Sequence, residues 1–504
     1  MEFIVLHPVT ANAQVHSSAW RRRFIMPAMQ PPILSRRALC LVPSLLAVIR
    51  VRLFALFVAT VFSITGGGVL PGIPSACAAD SGPRIVLIRD AEIETLLRAY
   101  ATPLYRAAGL DAGLLRIQVV RDGAINAFVT SGNRMYVHTG LLQQAGSAGE
   151  VVGVMAHETG HVMHGDPAKL PEQMREAMIK AIGAMLIGAA AGIGARQADA
   201  GMAAALGGQS MAMRQFLSFS RAQEAGADQA GLVLLDRNRW SARGLLALFD
   251  RLKDQELLSV DRQDPYMQSH PLTRERIEFV TDQVAKSPYR DNPFPAGFES
   301  GFQMAKAKLF GFLDAPVVTF RKYPASDRSA PARYARAIAE YRSGRSAEAL
   351  AGLDSLIAEQ RGNPWLLELK GQILFESGRA KEAIVAYREA MRIGSEQPLI
   401  RTALARAMVE SNDPQLIRPA IAELQRALDR DREDPDTWRL MGRAWGMVKE
   451  LGQANLALAE EAMINDDIPM ARRFAREAVS HLPAGPARLR AQDIANAVKK
   501  ENRP

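Results

Sequence analysis

Apolar residues recur at helical spacing along most of the chain. Asp90 stands before a helix with Ile93, Leu96, Leu97, Tyr100 and Leu104 on one face. Arg116 to Val120 is short and β-branched and ends at the turn Asp122-Gly123. Ala127-Phe128-Val129 and Met135-Tyr136-Val137-His138, parted by Gly132-Asn133, predict a hairpin. Beyond the hairpin the pattern is helical. The stretch 181–195 is apolar and built mostly of Gly, Ala and Ile. It is shorter than the roughly 20 residues that span a bilayer, so a lid, a buried helix or an interfacial segment in peripheral membrane contact all suit it. Pro and aromatic residues gather over 289–331, among them Pro293, Phe294, Phe298, Phe302 and Phe310, which reads as a connector packing on both neighbours.

From 332 to 504 the helical pattern repeats. The segment Tyr341 to Leu350 realigns with Phe375 to Ile384 at an offset of 34 residues, the tetratricopeptide period. In this register Ala383, Tyr387 and Ala390 take the packing places of a second helix, and Gly371 and Gly378 the small positions. Ala420, Leu424, Ala427 and Pro435 mark a drifted third repeat. Trp438 and Gly442 open a fourth, which Ala471, Ala475, Ala478 and Pro483 are expected to close after an insertion. Stacked helix pairs of this kind leave a concave surface for other polypeptides.

Composition sharpens the picture in one respect. A chain of 504 residues with 48% hydrophobic and 23% charged residues has enough core for two or three domains, and its two cysteines exclude a disulfide-built scaffold. The net charge of +9 invites a nucleic-acid reading, but residues 1–79 carry seven arginines and one acid, which leaves only +3 for 80–504. That remainder is no phosphate-binding footprint. The basic residues belong instead to a leader: Arg50 and Arg52 precede the apolar run Leu53–Ile64, and Ser75-Ala76-Cys77-Ala78-Ala79 has the small residues of a cleavage site. We read 1–79 as a signal peptide cleaved after Ala78 or Ala79. Cys40 and Cys77 would leave with it, and the exported chain would have no cysteine.

The candidate chemistry sits in Val151–Met163, which contains His157-Glu158-Thr159-Gly160-His161. On a helix, residues i and i+4 share a face, so both imidazoles can point at one ion. Glu158 is rotated about 100° from His157, on the flank where a nucleophilic water would lie. A hydrolytic metal site needs a third protein ligand and one open position. The extended motif with a third histidine fails, because His164 and Pro167 stand where it needs glycine and histidine. His164 shares the face of His161 and is one option. Glu224, with Asp228 one turn further on, is the other; there Asp228 would accept the N–H of a ligating histidine and fix its tautomer. His270, isolated before Pro271, reads as a loop histidine as readily as a functional one.

Taken together, Asn126-Ala127-Phe128, His157-Glu158-Thr159-Gly160-His161, Ser220-Arg221 with Glu224 and Asp228, Ser269-His270-Pro271-Leu272 and the repeats resemble one zinc metallopeptidase lineage. That lineage includes periplasmic β-barrel assembly-enhancing proteases and, more distantly, CAAX prenyl proteases and a membrane heat-shock protease. The order of motifs is kept over nearly the whole exported chain; the long leader, the 181–195 segment and the drifted later repeats depart from the pattern. The resemblance implies a mainly α (α+β) fold: a gluzincin-type metalloprotease domain with a small sheet over 80–288, the connector 289–331 and a tetratricopeptide solenoid over 332–504. It implies one Zn2+ per chain held by His157, His161 and Glu224, with Glu158 as catalytic base and Asp228 behind a ligand. It also implies that His270 approaches the zinc, as a gate or in catalysis, and that Asn126 and Phe128 bind substrate. The expected activity is that of a periplasmic zinc endopeptidase associated with the outer membrane. It would degrade misassembled outer-membrane proteins and dock their assembly machinery through the repeats, without a nucleic-acid partner. The rival expectation is a chaperone-like repeat adaptor whose zinc site is gated or largely inactive.

Overall fold

A computed structural model of the chain describes residues 2–7, 14–16, 85–167, 221–253, 265–394 and 397–497. The leader's apolar run, Cys40, Cys77 and the 181–195 segment lie outside the described residues. Among those described, no helix is long and apolar enough to cross a membrane.

Six strands form one mixed sheet: β1 (Glu2–His7), β2 (Gln14–His16), β3 (Ile85–Arg89), β4 (Arg116–Val120), β5 (Ala127–Thr130) and β6 (Arg134–His138). Their order is β2-β1-β3-β4-β6-β5. The expected hairpin is β5–β6, paired antiparallel with Phe128 opposite Tyr136, and β6 runs parallel to β4. Strand β3 was not among the expected elements, because its apolar run Ile85–Ile88 carries no alternation to mark it. Beyond it, β1 and β2 come from the stretch read as leader and pair antiparallel, β1 with β3 and β2 with β1. In a chain cleaved after Ala78 or Ala79, β3 would be that edge of the sheet.

One face of the sheet (Ile88, Ile117, Val119, Met135, Val137) is buried against two helices, α1 (Ala91–Ala107) and α3 (Ala148–His164), with the short α2 (Thr139–Gln144) between β6 and α3. Helix α1 starts where Asp90 accepts a hydrogen bond from the Ile93 amide, a side-chain cap typical of this position. Helix α3 is buried from Ala148 to His161 and is apolar apart from its motif residues and Glu150, which pairs with Arg251 at 3.2 Å. Among the described residues, the domain continues with α4 (221–237), α5 (Arg243–Leu252), α6 (Pro265–Ser269) and α7 (Arg274–Lys286).

The stretch 289–331 contributes α8 (Phe298–Leu313) and α9 (Pro316–Lys322). Phe302 and Leu309 of α8 join the core of the sheet domain, while Met304 joins the core of the solenoid. Lys308, on the same helix, has no exposed surface; its Nζ lies 2.9 Å from Asp90, 3.3 Å from Glu92 and 3.2 Å from Glu368.

The solenoid is a run of helix pairs: α10 (Ala330–Arg342) with α11 (Ser346–Glu359), α12 (Pro364–Glu376) with α13 (Ala380–Ile393), α14 (Pro398–Glu410) with α15 (Ile417–Arg430), α16 (Pro435–Met447) with α17 (Leu451–Ile464), and α18 (Ile468–His481) with α19 (Pro486–Ala495). The turns of the first two pairs hold Gly344 and Gly378 at φ +80° and +79°, the left-handed conformation glycine adopts without cost. The fourth repeat corrects the sequence reading. Leu451–Ile464 closes it directly, and Ala471, Ala475 and Ala478 belong to the next pair, so there is no insertion.

Candidate active site

The site is built on the crossing of α3 and α4. A Cβ on Gly160 would fall 2.6 Å from the Ala227 carbonyl oxygen, so glycine inside the motif is what lets the two helix backbones touch. That contact brings Glu224 and Asp228 beside the two histidines.

His157 and His161 present their rings edge to face, with the two Nε2 atoms 3.2 Å apart. Glu224 Oε2 lies 3.3 Å from His157 Nε2, and Oε1 lies 3.4 Å from His161 Nε2. His270, in the turn between α6 and α7, puts Nδ1 3.4 Å from His157 Nε2 and 3.2 Å from both Glu224 oxygens. These four side chains are buried, and one donor atom from each lies within 4.8 Å of the others. The 3.2–3.4 Å spacings match the edge of a tetrahedral shell, about 3.3 Å when each ligand bond is about 2.0–2.1 Å.

The chemistry of the donor set calls for a cation. The outer Nδ1 of His157 meets Asp228 Oδ1 at 2.9 Å, and the outer Nδ1 of His161 meets Asp166 Oδ2 at 3.0 Å. Donation to these carboxylates leaves Nε2 of each neutral ring as a lone-pair acceptor aimed inward, against another such acceptor and a carboxylate. Without positive charge between them the arrangement is repulsive. With no metal between them, the same demand for positive charge falls on protons, which the two rings hold more tightly than usual. Burial lowers the pKa of His161, yet hydrogen bonds to Asp166 and Glu224 push it up to about 10. Burial works against His157 too, and Asp228 and Glu224 hold it above the ordinary histidine value. Burial raises Glu224, but electrostatic attraction to His270 and hydrogen bonds from His157, His161 and His270 bring it well below the usual carboxylate range.

Glu158 points to the same cluster from the other side. Its two carboxylate oxygens are buried without a hydrogen-bond partner, and His270 Nε2 stands 3.4 Å from Oε1. A buried carboxyl group left without hydrogen bonds is costly unless a ligand or water meets it.

The remaining sequence candidates fall elsewhere. His164 is exposed at the end of α3, against Gly226, and is not in the donor cluster. Asn126, just before β5, is buried with Oδ1 unpartnered. Phe128 stacks on Tyr136 across the hairpin, ring centroids 4.9 Å apart. Two residues of the site escaped the sequence reading. Asp166 is brought beneath His161 because Gly165, at φ +69°, closes α3 and turns the chain back; the Gly-Asp pair after the helix was the available signal. Arg276 grips Asp228 through Nε at 2.6 Å and Nη2 at 2.9 Å. Nothing local to α7 distinguishes it from a surface arginine.

Comparison with known proteins bears on both halves of the chain. Residues 88–284 match the model of peptidase family M48, and residues 374–444 match a tetratricopeptide repeat model. The beta-barrel assembly-enhancing protease of Yersinia pestis is 25% identical, covering 73% of this chain and 75% of its own length. Its counterpart in Escherichia coli K12 is 26% identical over 68% of this chain and 69% of its own. The mitochondrial metalloendopeptidase OMA1 of Schizosaccharomyces pombe is 25% identical over 34% of this chain and 47% of its own.

Proposed function

We propose that this chain, an M48-type metallopeptidase domain followed by tetratricopeptide repeats, is a zinc-dependent endopeptidase of the cell envelope. Zinc is the ion that suits two imidazoles and a carboxylate at tetrahedral spacing. His157, His161 and Glu224 hold it, and His270 stands in the fourth corner of the donor cluster. When bound, zinc supplies a Lewis acid that polarises a scissile carbonyl and makes water a better nucleophile. Glu158 takes the proton from the attacking water and returns it to the leaving amine nitrogen. Asp228 and Asp166 keep His157 and His161 in the tautomer that faces inward. The observation that carries this reading is the buried Glu158 carboxylate, without a hydrogen-bond partner, beside a four-donor cluster.

The substrates that fit are unfolded or misassembled envelope polypeptides, outer-membrane proteins among them, reached in the periplasm after export through the 1–79 leader. Strand β5 is an edge of the sheet, and an extended peptide added there would be held by backbone hydrogen bonds, with Asn126 and Phe128 in contact. Folded proteins keep most extended segments paired within their own sheets, so unfolded chains are the better donors of a strand. The repeats are the surface through which the β-barrel assembly machinery would dock.

Zinc stoichiometry and casein hydrolysis of the exported form test the reading. One zinc per chain is expected, and Glu158→Gln should keep the metal while losing cleavage by about 100- to 10,000-fold. Cleavage that survives this substitution, or a wild-type protein without zinc, overturns the assignment. Proline substitution in β5 should slow peptide cleavage with zinc content preserved, and an unchanged rate would remove the edge-strand mode.

A second reading rests on His270 Nδ1, which fills the corner that water needs. On that reading the site is gated, and the chain works for part of its time as a repeat adaptor. His270→Ala would then speed casein hydrolysis. Full support of envelope assembly by Glu158→Gln would make the adaptor role the dominant one.

A further inference from the structure

Arg276 is buried to 5% exposure in a site crowded with carboxylates, and its guanidinium makes contacts in three directions. Nε and Nη2 grip both oxygens of Asp228, at 2.6 and 2.9 Å. Nη1 lies 2.9 Å from Glu224 Oε2 and donates to the Pro271 carbonyl at 2.8 Å. The Phe249 ring lies 5.4 Å from the guanidinium carbon. The three partners are the carboxylate that orients His157, the carboxylate among the metal donors, and the backbone of the residue after His270.

We propose that Arg276 is a positioning residue that ties the His270 turn to the Glu224 carboxylate, so that the place of His270 in the donor cluster depends on the Arg276 fork. The inference rests on the metal-site reading above and adds a means of control to it. Both Glu224 oxygens face the cluster, Oε1 at 3.4 Å from His161 Nε2 and Oε2 at 3.3 Å from His157 Nε2, and the contact with Arg276 on Oε2 fixes how the carboxylate is turned toward them. Holding the Pro271 carbonyl keeps the turn drawn toward the cluster. A planar fork can serve an aspartate with one edge and two further acceptors with the remaining nitrogen, while the ammonium of lysine, a compact point charge, cannot span all three.

The test uses the full chain and its Arg276→Lys, Arg276→Gln, His270→Ala and Arg276→Lys/His270→Ala forms. Zinc affinity is measured by chelator competition, and the donor set by the visible spectrum of the cobalt-loaded protein. Arg276→Lys and Arg276→Gln should weaken zinc by about 10- to 100-fold, the size seen when the partners behind metal ligands are removed. His270→Ala should shift the cobalt bands in the wild-type background and shift them much less in the Arg276→Lys background, where the turn is already released. A purely structural arginine would leave the His270→Ala shift at full size. That result, or zinc affinity unchanged in both Arg276 variants, overturns the proposal. So does a failure of both variants to fold with or without zinc, which would make Arg276 a core residue only. A wild-type protein that binds neither metal would instead bring down the metal-site reading itself.

Discussion

At the scale of single residues, each histidine of the motif has a carboxylate on its outward-facing nitrogen, which leaves the other nitrogen facing the cluster. His157 has Asp228 and His161 has Asp166, each at about hydrogen-bond contact on Nδ1. The first pair was legible because Asp228 lies one turn beyond Glu224 on a single helix. The second was not, since a residue five positions past His161 meets it only through the left-handed turn at Gly165. On the proposed metal-site reading, Asp166→Asn keeps the shape and removes the charge, so zinc affinity measured by chelator competition should fall about 10-fold or more, with the metal-free protein still folded but melting lower because His161 loses its charged partner. An unchanged affinity would reduce Asp166 to a helix-end contact.

At the scale of elements, the repeat shows what a sequence period can and cannot carry. The turn inside each of the first four helix pairs has one residue at positive φ: Gly344, Gly378, Asn412 and Lys449. Where that residue is glycine the period of 34 is plain; where it is asparagine or lysine the backbone keeps the turn and the sequence loses the mark. The unexpected closing of the fourth repeat by Leu451–Ile464 has this cause. Lysine in the left-handed region carries steric strain that glycine avoids, partly offset by glycine's greater entropy in the unfolded chain. Lys449→Gly should therefore stabilise the chain by about 0.5–1 kcal/mol, seen as a higher urea midpoint. A lower midpoint would mean that the lysine side chain holds the turn by other contacts.

At the scale of the whole molecule, the sheet domain and the solenoid share a buried ionic joint. Asp90 and Glu92 begin α1, Lys308 comes from α8 and Glu368 from α12, and Tyr334 of α10 donates to Glu92 at 3.0 Å. One lysine faces three carboxylates. Burial, opposed by Lys308, raises Glu92 from 4.5 to about 7, while Asp90, also buried, is drawn below its usual value by Lys308. An acid whose pKa rises on folding takes up a proton as the chain folds. Glu92 thus contributes stability below about pH 4.5 that is lost as pH climbs through about 7. Glu92→Gln should be the more stable form at pH 8, on the order of 1–3 kcal/mol, and the gap should close toward pH 5. Thermal unfolding of both forms across this range checks it, and a gap that does not vary with pH would contradict the raised pKa.

Local spacing alone determined that His157 and His161 share a helix face, that 127–138 forms a hairpin, and that a 34-residue repeat builds a helical solenoid. Each of these depends on residues within a few turns or one repeat of each other, where backbone geometry leaves little freedom. Only the tertiary structure decided that Glu224 and His270 join those two histidines, that Asp166 and Arg276 stand behind them, and that Lys308 fastens the two domains. These residues meet because α3 and α4 cross at Gly160, α7 packs against α4, and α8 lies in two cores at once. A close crossing is a property of the whole packed core, and no window of sequence contains it.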